Sequence, residues 1–238
     1  MHRLSVILIK EWREALRNKM VLFGVLFLPL LLVGVSVYMV SEGGGTDDPI
    51  AQIVLFNTSL MYFLLLPAII PLAIAVYSIV GEKDQSTLEP LLSTPVSDLE
   101  LFLGKALASV IPALAVNWTC FGAFLAITSI LLGGLPPHVL TVPWLASIFG
   151  LSPLLSLFAV SVTMLVSSRA SDARAAYQVS SFAILPGVIP LIVYSSRKTL
   201  VNLTLVGIEA AVLLVASAVL LAFAIRVFRR EQILTRWT

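Results

Sequence analysis

Residues 20–41 read MVLFGVLFLPLLLVGVSVYMVS, which is a run of twenty-two consecutive positions without a charged side chain. A helix needs about 20 predominantly apolar residues to cross about 30 Å of hydrocarbon, so this stretch has the length of one transmembrane span. Residues 49–81 and 175–196 also carry no charge, and each interval holds one more span. The arrangement of charges along the chain therefore predicts a protein whose solvent is the bilayer.

The longest charge-free interval, residues 106–168, has room for two spans, and a Gly-Gly-Leu-Pro-Pro-His sequence at 133–138 divides it. Paired glycines and prolines end helices and form turns. With a last span near the end of the chain, the predicted spans are at about 20–41, 55–80, 104–132, 142–167, 175–195 and 200–225. These runs lack the period-two alternation of barrel strands, so residues 1–238 are predicted to form one all-α integral membrane domain.

Composition excludes a soluble globular fold. Of the 238 residues, 59% are hydrophobic and 12% are charged, about half of the usual charged share. The lone Cys120 excludes a disulfide framework, and the two isolated histidines, His2 and His138, argue against a zinc site. A net charge of +2 gives no indication of a nucleic-acid partner.

Basic residues are concentrated on one side of the predicted spans. That side has Arg3, Lys10, Arg13, Arg17, Lys19, Lys83, Lys105, Arg169, Arg174, Arg226, Arg229, Arg230 and Arg236, whereas the opposite side has Arg197 and Lys198. Cytoplasmic flanks of membrane spans collect lysine and arginine. Both termini are therefore expected in the cytoplasm, in a multi-pass protein of the cell inner (plasma) membrane.

Residues 3–19 have the pattern of an amphipathic helix that precedes the first span. At 100° per residue, one face collects Leu4, Ile7, Leu8, Trp12, Ala15 and Leu16, and the other collects Arg3, Lys10, Arg13, Glu14 and Arg17. Such a helix is expected to lie at the membrane interface, with Trp12 at headgroup depth and its cations toward anionic lipid. A basic flank that only fixes topology is the alternative.

The connection between the second and third spans, residues 81–97, is polar at its start and then carries leucines at helical spacing. Ser86 with Glu89 and Ser97 with Glu100 have the spacing of capping boxes, which predicts a short helix and then a new helix start. The leucines of the short helix need a surface on which to bury. That surface is either the membrane and neighbouring span ends or a groove on a partner protein.

Residues in this connection resemble those of a known family. GEK at 81–83, TLE at 87–89, LLSTPVS at 91–97 and LGK at 103–105 are similar to the corresponding segment of ABC-2 type permeases, the membrane subunits of a class of ABC transporters. The start of the chain, KE at 10–11 and LRNK at 16–19, resembles the same family. The resemblance implies a cytoplasmic coupling helix that docks on a separate ATP-binding subunit. The residues that it assigns to this role are Glu82, Lys83, Thr87, Leu88, Glu89, Leu91, Leu92 and Ser93.

The family resemblance also implies an exporter that works by alternating access with a second permease protomer, as a homodimer or heterodimer. ATP would be bound by the partner subunit, because the chain has no Gly-x-x-x-x-Gly-Lys-[Ser/Thr] phosphate loop around Gly104-Lys105. The chain itself is therefore expected to have no cofactor and no enzymatic activity.

Glu209 is the sole ionisable residue deep in a predicted span, so it is a candidate functional residue. It could line the transport path, bind a cation, or stay protonated and hydrogen-bonded to a neighbouring helix. In the fifth span, Pro186 and Pro190 could produce either a short re-entrant turn or a plain kink.

Three other functional classes are weaker alternatives. An intramembrane protease would need a His-Glu-x-x-His motif, a Gly-x-Ser-Gly motif or paired intramembrane aspartates, and the sequence has none of them. A scaffold that transmits ATPase motion to an outer partner would need a larger external domain than the predicted loops provide. A secondary transporter would be expected to have repeated halves and more intramembrane charge.

Overall fold

The computed structural model describes residues 2–43, 48–84, 98–135, 141–170, 172–195 and 201–227, and the regular structure in these ranges is helical. The helices are α1 (His2–Arg17), α2 (Lys19–Gly43), α3 (Pro49–Asp84), α4 (Asp98–Leu132), α5 (Val142–Leu145), a π-helix (Ala146–Leu151), α6 (Ser152–Arg169), α7 (Ala173–Ser195) and α8 (Leu203–Val227). Because α5, the π-helix and α6 follow one another without a gap, they form one long helical segment.

Within the described residues, six helical segments are long and apolar enough to cross a membrane. Their bounds are Val21–Gly43, Pro49–Gly81, Glu100–Leu132, Val142–Arg169, Ala173–Val193 and Leu203–Ala224. The prediction of an all-α protein with six spans is confirmed. The predicted N-terminal helix is present as α1, and its position at the membrane surface stays a prediction.

Side-chain caps mark where several of these helices begin. A side-chain oxygen of the residue before or near the first turn accepts a hydrogen bond from a backbone N–H that has no partner within the helix. The bonds are Ile50 N to Asp48 Oδ1 at 2.9 Å, Ala175 N to Asp172 Oδ2 at 3.2 Å and Thr204 N to Asn202 Oδ1 at 3.0 Å. Helix α4 is followed by Gly133 with φ of 69°, a left-handed conformation that glycine adopts without strain.

Helix α3 lies at the centre of the bundle and packs against α2, α4, α6 and α7. Its Phe63 is fully buried, and the ring centroid lies 5.6 Å from that of Phe121 and 5.1 Å from that of Phe124, both in α4. These aromatic contacts, in tilted and edge-on geometries, fix α3 against α4. The core of the described protein is therefore built around the second span.

Three prolines leave a backbone carbonyl without its helical donor, and in each case a side chain of another helix donates to it. An unsatisfied carbonyl is costly in lipid, so these bonds allow the prolines to lie inside spans. Pro71 leaves Pro67 O free, and Ser156 Oγ donates to it at 2.9 Å. Pro112 leaves Ala108 O free, and Trp12 Nε1 donates to it at 2.9 Å. Pro153 leaves Ile148 O free, and Trp118 Nε1 donates to it at 3.2 Å. Ile148 and Pro153 are five residues apart because hydrogen bonds in a π-helix join residues at that spacing.

Helix α7 is continuous through Pro186 and Pro190. Within Ala173–Ser195 the chain therefore makes no re-entrant turn. Glycine allows α7 to approach α6 closely, since a Cβ on Gly187 would lie 2.6 Å from the ring of Phe158.

Candidate functional site

Glu11 lies on the apolar face of α1 and is buried. Ile7, four residues earlier, exposes 8% of its surface and Glu11 exposes only 3%. A carboxylate at such a position needs a charged or hydrogen-bonding partner, because burying an unpaired charge is very costly.

The partner of Glu11 is Lys105, which lies in α4 and is fully buried. Lys105 Nζ donates to Glu11 Oε1 at 2.8 Å, to Ser78 O at 2.8 Å and to Ser78 Oγ at 3.0 Å. The Ser78 hydroxyl in turn donates to Glu11 Oε2 at 2.6 Å. We call Glu11, Ser78 and Lys105 the Glu11 cluster, and it joins α1, α3 and α4.

The Glu11 cluster is a charged pair with nearly complete hydrogen bonding. Burial by itself raises the pKa of Glu11, but the Lys105 ammonium, hydrogen bonds from Lys105 and Ser78, and the Lys10 ammonium together hold that pKa below its ordinary value. The carboxylate therefore stays ionised near neutral pH. A buried ion pair persists only where the remaining donors and acceptors are also satisfied, as the three donors of Lys105 are here.

Two further contacts hold α1 against α4 beside the cluster. A Cβ on Gly104 would lie 2.7 Å from Cγ2 of Ile7, so glycine permits the close approach of the two helices. The Trp12 indole donates to the freed carbonyl of Ala108. The polar tip of Trp12 is therefore occupied by protein.

Two members of the Glu11 cluster flank the predicted coupling segment in the sequence. Ser78 is in the helix that enters the 81–97 connection, and Lys105 is in the helix that leaves it. A cavity of about 550 Å³ adjoins the cluster and is lined by Glu11, Glu14, Arg17, Tyr77 and Gly81 among others. An open space lined by both charged and apolar side chains thus lies next to the Glu11 cluster and the start of that connection.

The predicted coupling residues themselves are mostly outside the described part of the chain. Glu82 and Lys83 belong to the last turn of α3. Thr87, Leu88, Glu89, Leu91, Leu92 and Ser93 lie outside the described residues. Their role as a docking surface stays a prediction.

The pairing of Glu11 with Lys105 was missed at the level of sequence. The sequence pattern uses Lys105 as one of the basic residues that set topology and as part of the LGK motif at 103–105, and it assigns Glu11 to neither face of α1. The available signal was the position of Glu11 in the apolar stripe that contains Ile7, Leu8 and Ala15. A carboxylate in such a stripe indicates a buried partner.

Glu209 lies in α8, far along the chain from the Glu11 cluster, and exposes 7% of its surface. It lines a second, small cavity of about 20 Å³ together with Asn57 and Ser147. Its Oε1 accepts no hydrogen bond from any residue that the structure describes. The structure therefore places the predicted intramembrane carboxylate in a narrow, buried space.

Comparison with known protein families agrees with the resemblance seen in the sequence. A family model described as ABC-2 family transporter protein matches residues 7–187, about three quarters of the chain. None of the curated proteins compared with the chain matches it. The matched range includes the whole Glu11 cluster and the first four spans. The chain is therefore a multi-pass membrane protein that belongs to the ABC-2 family of transporter proteins, as a permease subunit.

Proposed function

We propose that this permease is the membrane half of an ATP-driven exporter and that a separate ATP-binding subunit drives it through residues 81–97. The ABC-2 family membership implies an ABC ATP-binding partner in general. In this proposal the partner binds and hydrolyses ATP, and the permease supplies no catalytic residue and holds no cofactor.

The observation that carries the coupling proposal is the Glu11 cluster. Its hydrogen bonds join the helix before the connection, the helix after it and α1 through one buried charged group. Charge-assisted hydrogen bonds are about twice as strong as neutral ones and depend on geometry. A displacement of residues 81–97 would therefore move α1, α3 and α4 together instead of bending the connection alone.

The docking surface in this proposal is formed by Glu82, Lys83, Thr87, Leu88, Glu89, Leu91, Leu92 and Ser93. Its support is the family resemblance and the helical spacing of the leucines. A small docking helix has few apolar anchors, so each leucine carries a large share of the binding free energy.

The interfacial position of α1 is part of the same proposal. Ile9 and Leu16 expose 55% and 65% of their surfaces although they are apolar. Lipid acyl chains would cover these side chains, whereas the opposite side of the helix contacts α4. In this arrangement α1 carries force from the cytoplasmic side to the edge of the bilayer.

The proposed transport cycle is alternating access in a dimer of permeases, homomeric or heteromeric. Closure of two ATP-binding subunits would displace the cytoplasmic ends of α3 and α4 and open a path between protomers outward. Extensive apolar side chains on the outer faces of α2 and α8 are available for lipid or a second protomer. Export rests on the family resemblance and on the short predicted outer loops.

Glu209 is proposed to lie beside the transport path. Its support is its burial in a span, the small cavity that the residue lines, and the Oε1 atom that accepts no hydrogen bond from the described residues. Intramembrane carboxylates usually face a bundle interior or a water-filled space and have functional roles.

The test is co-purification of the ATP-binding subunit from source cells, combined with transport per ATP hydrolysed in reconstituted vesicles. We expect Leu91→Ala with Leu92→Ala, and separately Glu89→Lys, to weaken subunit binding or to uncouple hydrolysis from transport. Truncating a buried leucine costs about 2–5 kcal/mol. A matched control is Leu30→Ala with Leu31→Ala, two exposed neighbouring leucines of α2. Wild-type binding and coupling in both coupling-segment variants would refute the assignment.

A further inference from the structure

The cavity beside the Glu11 cluster lies where the first span begins and the second span ends. Val21 begins the first of these spans and Gly81 ends the second, and both residues line the cavity. Ile74, also in the lining, is about two helical turns inside the end of the second span. The volume of about 550 Å³ is within the range of about 300–1,000 Å³ for sites that hold small molecules. The cavity is therefore large enough for a molecule instead of a single ion.

The polar wall of this cavity carries charges of both signs on α1. Glu14 and Arg17 both line it, and residues three apart are neighbours on the surface of a helix. Glu14 Oε1 lies 3.5 Å from Lys10 Nζ, so its partner is Lys10 and not Arg17. Arg17 forms no ion pair with any residue that the structure describes. A carboxylate and a guanidinium thus lie side by side at the cavity without pairing with each other.

The opposite wall is apolar and belongs to the spans. Val21 and Ile74 are buried, and Ala15 of α1 packs against the same core. Tyr77 adds an aromatic ring with a hydroxyl, a side chain that is common where spans meet the polar boundary of a bilayer. The lining therefore changes from charged residues outside the spans to apolar residues within them, as the surroundings of a lipid headgroup and its first carbons do.

A ligand with charge of one sign does not suit the polar wall. An anion would meet Glu14, and a cation would meet Arg17, whereas a zwitterion can pair with both. A quaternary ammonium has no N–H donor and is usually held by several aromatic rings, but Tyr77 is the one aromatic residue among the described residues of the lining. A primary ammonium donates charge-assisted hydrogen bonds to a carboxylate. The wall therefore favours a zwitterion with a primary ammonium.

We propose that this cavity binds the headgroup of a zwitterionic phospholipid of the ethanolamine type. Arg17 donates to the phosphate, for which the planar guanidinium is well suited. Glu14 accepts from the ammonium in place of its exposed pair with Lys10, which contributes little to stability. The glycerol and the first acyl carbons lie against Val21 and Ile74. The bound lipid fills the space between α1, α2 and α3 beside the Glu11 cluster.

This inference rests on the proposed interfacial position of α1, and a separate measurement tests that position. A spin label on Ile9→Cys in a Cys120→Ser background reports collisions with lipid-soluble oxygen and with a water-soluble nickel complex in vesicles. A label that meets only the water-soluble reagent would refute the interfacial position of α1, whatever the headgroup binding shows. A label in lipid together with failed headgroup binding would refute the headgroup site alone.

The experiment is a titration of the full-length protein in detergent with a short-chain phosphatidylethanolamine. Phosphatidylglycerol and phosphatidylcholine with the same chains are titrated in parallel. We expect phosphatidylethanolamine to raise the thermal unfolding midpoint with saturation, because a ligand that binds only the folded state stabilises it. Its apparent affinity should exceed those of the other two lipids by at least about tenfold, since each lacks one charge-assisted hydrogen bond. Soluble phosphoethanolamine should bind more weakly, because it has no chains for the apolar wall.

Substitutions on α1 test the two charges separately. Arg17→Gln and Glu14→Gln should each weaken the apparent affinity for phosphatidylethanolamine by at least about tenfold. Glu14→Gln also removes the repulsion of anions, so the lipid preference of this variant should shift toward phosphatidylglycerol. The controls are Arg13→Gln, a neighbouring cation of α1 outside this lining, and Glu42→Gln, an exposed carboxylate near the other end of α2. Both controls should keep wild-type affinity.

Four results would overturn the inference. Equal effects of the three lipids would identify general coverage of the spans by lipid. Tighter binding of phosphatidylglycerol to the wild type would identify a surface for anionic lipid. Equal affinities for phosphoethanolamine and phosphatidylethanolamine would identify a soluble ligand. Equal affinities of Arg17→Gln and Arg13→Gln would show that Arg17 does not hold the phosphate, and Arg17→Lys against Arg13→Lys gives the same comparison if either glutamine variant does not fold.

Discussion

Lys105 is buried as a cation because each of its three N–H donors has an acceptor within 3.0 Å. The desolvation cost of the pair is offset only while Glu11 and Ser78 remain in place. A buried pair of this kind contributes little net stability compared with apolar residues, but loss of one member leaves an uncompensated charge. Removing one charge of the pair should therefore destabilise the protein more than removing both charges together.

We predict that Lys105→Met lowers the free energy of unfolding by about 3–5 kcal/mol, because Glu11 is then buried without its cation. Glu11→Leu combined with Lys105→Met should recover most of this loss, since both charges are removed. The measurement is a double-mutant cycle of thermal unfolding midpoints in one detergent. Additive effects of the two substitutions would contradict the pairing.

The pH dependence of stability should reveal the same carboxylate. The folded-state pKa of Glu11 lies below the ordinary value of 4.5, so ionised Glu11 stabilises the fold above about pH 4.5. This contribution is lost as the pH falls through the lower, folded-state pKa. We expect the unfolding midpoint of the wild type to fall more steeply below pH 4.5 than that of Glu11→Gln. Parallel curves for the two proteins would contradict the assignment.

Sequence reasoning identified Glu209 but not Glu11, and the difference has a physical cause. Glu209 stands alone within a long apolar run, so its burial follows from the span itself. Glu11 lies in a helix with charges on both sides, and its partner is ninety-four positions away in the sequence. Which charged residues of α1 face α4 depends on how the two packed helices are rotated about their axes. A count of charges along the sequence does not give that rotation.

At the scale of elements, helices are joined where a proline leaves a carbonyl free. Trp12 reaches from α1 to Ala108 because Pro112 has no N–H to donate to that carbonyl. This explains a contact that the amphipathic pattern of α1 did not predict, since the pattern placed the Trp12 ring at lipid headgroups. The π-helix was likewise not predicted, because the run around it reads as an ordinary apolar helix.

We predict that Trp12→Phe lowers stability by about 1–3 kcal/mol, the cost of an unsatisfied buried carbonyl. Pro112→Ala restores a backbone donor to Ala108 O, so Trp12→Phe should cost much less in that background. Thermal unfolding midpoints of the four proteins provide the test. If Trp12→Phe costs the same in both backgrounds, the indole hydrogen bond is not the reason for the loss.

Trp118→Phe is the matched control for this prediction. It removes the same kind of indole donor, here from Ile148 O, but the Ser152 hydroxyl also donates to that carbonyl. The carbonyl therefore keeps a partner after the substitution. We expect Trp118→Phe to cost less than Trp12→Phe in otherwise wild-type protein.

At the scale of the whole molecule, the number of spans was predictable but their arrangement was not. The most apolar eighteen-residue stretches of Val21–Gly43, Pro49–Gly81 and Leu203–Ala224 have the same mean hydropathy, yet 83% of that stretch is buried in protein in the second span and only 22% in each of the others. Lipid chains are as apolar as a protein interior, so hydropathy does not distinguish a central span from a peripheral one. The contacts of Phe63 and Ser156, not apolarity, place α3 at the centre.

The orientation that we predict in the membrane rests on the distribution of basic residues, thirteen on one side of the predicted spans and two on the other. Lysine and arginine near span ends are retained in the cytoplasm. We predict that a cysteine introduced by Gly44→Cys is labelled from outside intact cells by an impermeant thiol reagent, whereas one introduced by Gln85→Cys is not. Both substitutions are made in a Cys120→Ser background, because Cys120 is half-buried in α4 and would contribute its own signal.

Permeabilised cells give the control for this labelling, since both positions should then react if both are accessible. The prediction has a consequence for the mechanism as well as for topology. The Glu11 cluster lies near the end of α3 and the start of α4, the two helix ends that residues 81–97 connect in the sequence. In the proposed mechanism, an ATP-binding subunit in the cytoplasm can reach this connection only if Gln85 is inside. Labelling of Gln85→Cys and protection of Gly44→Cys in intact cells would reverse the orientation and remove the physical basis for coupling through α1, α3 and α4.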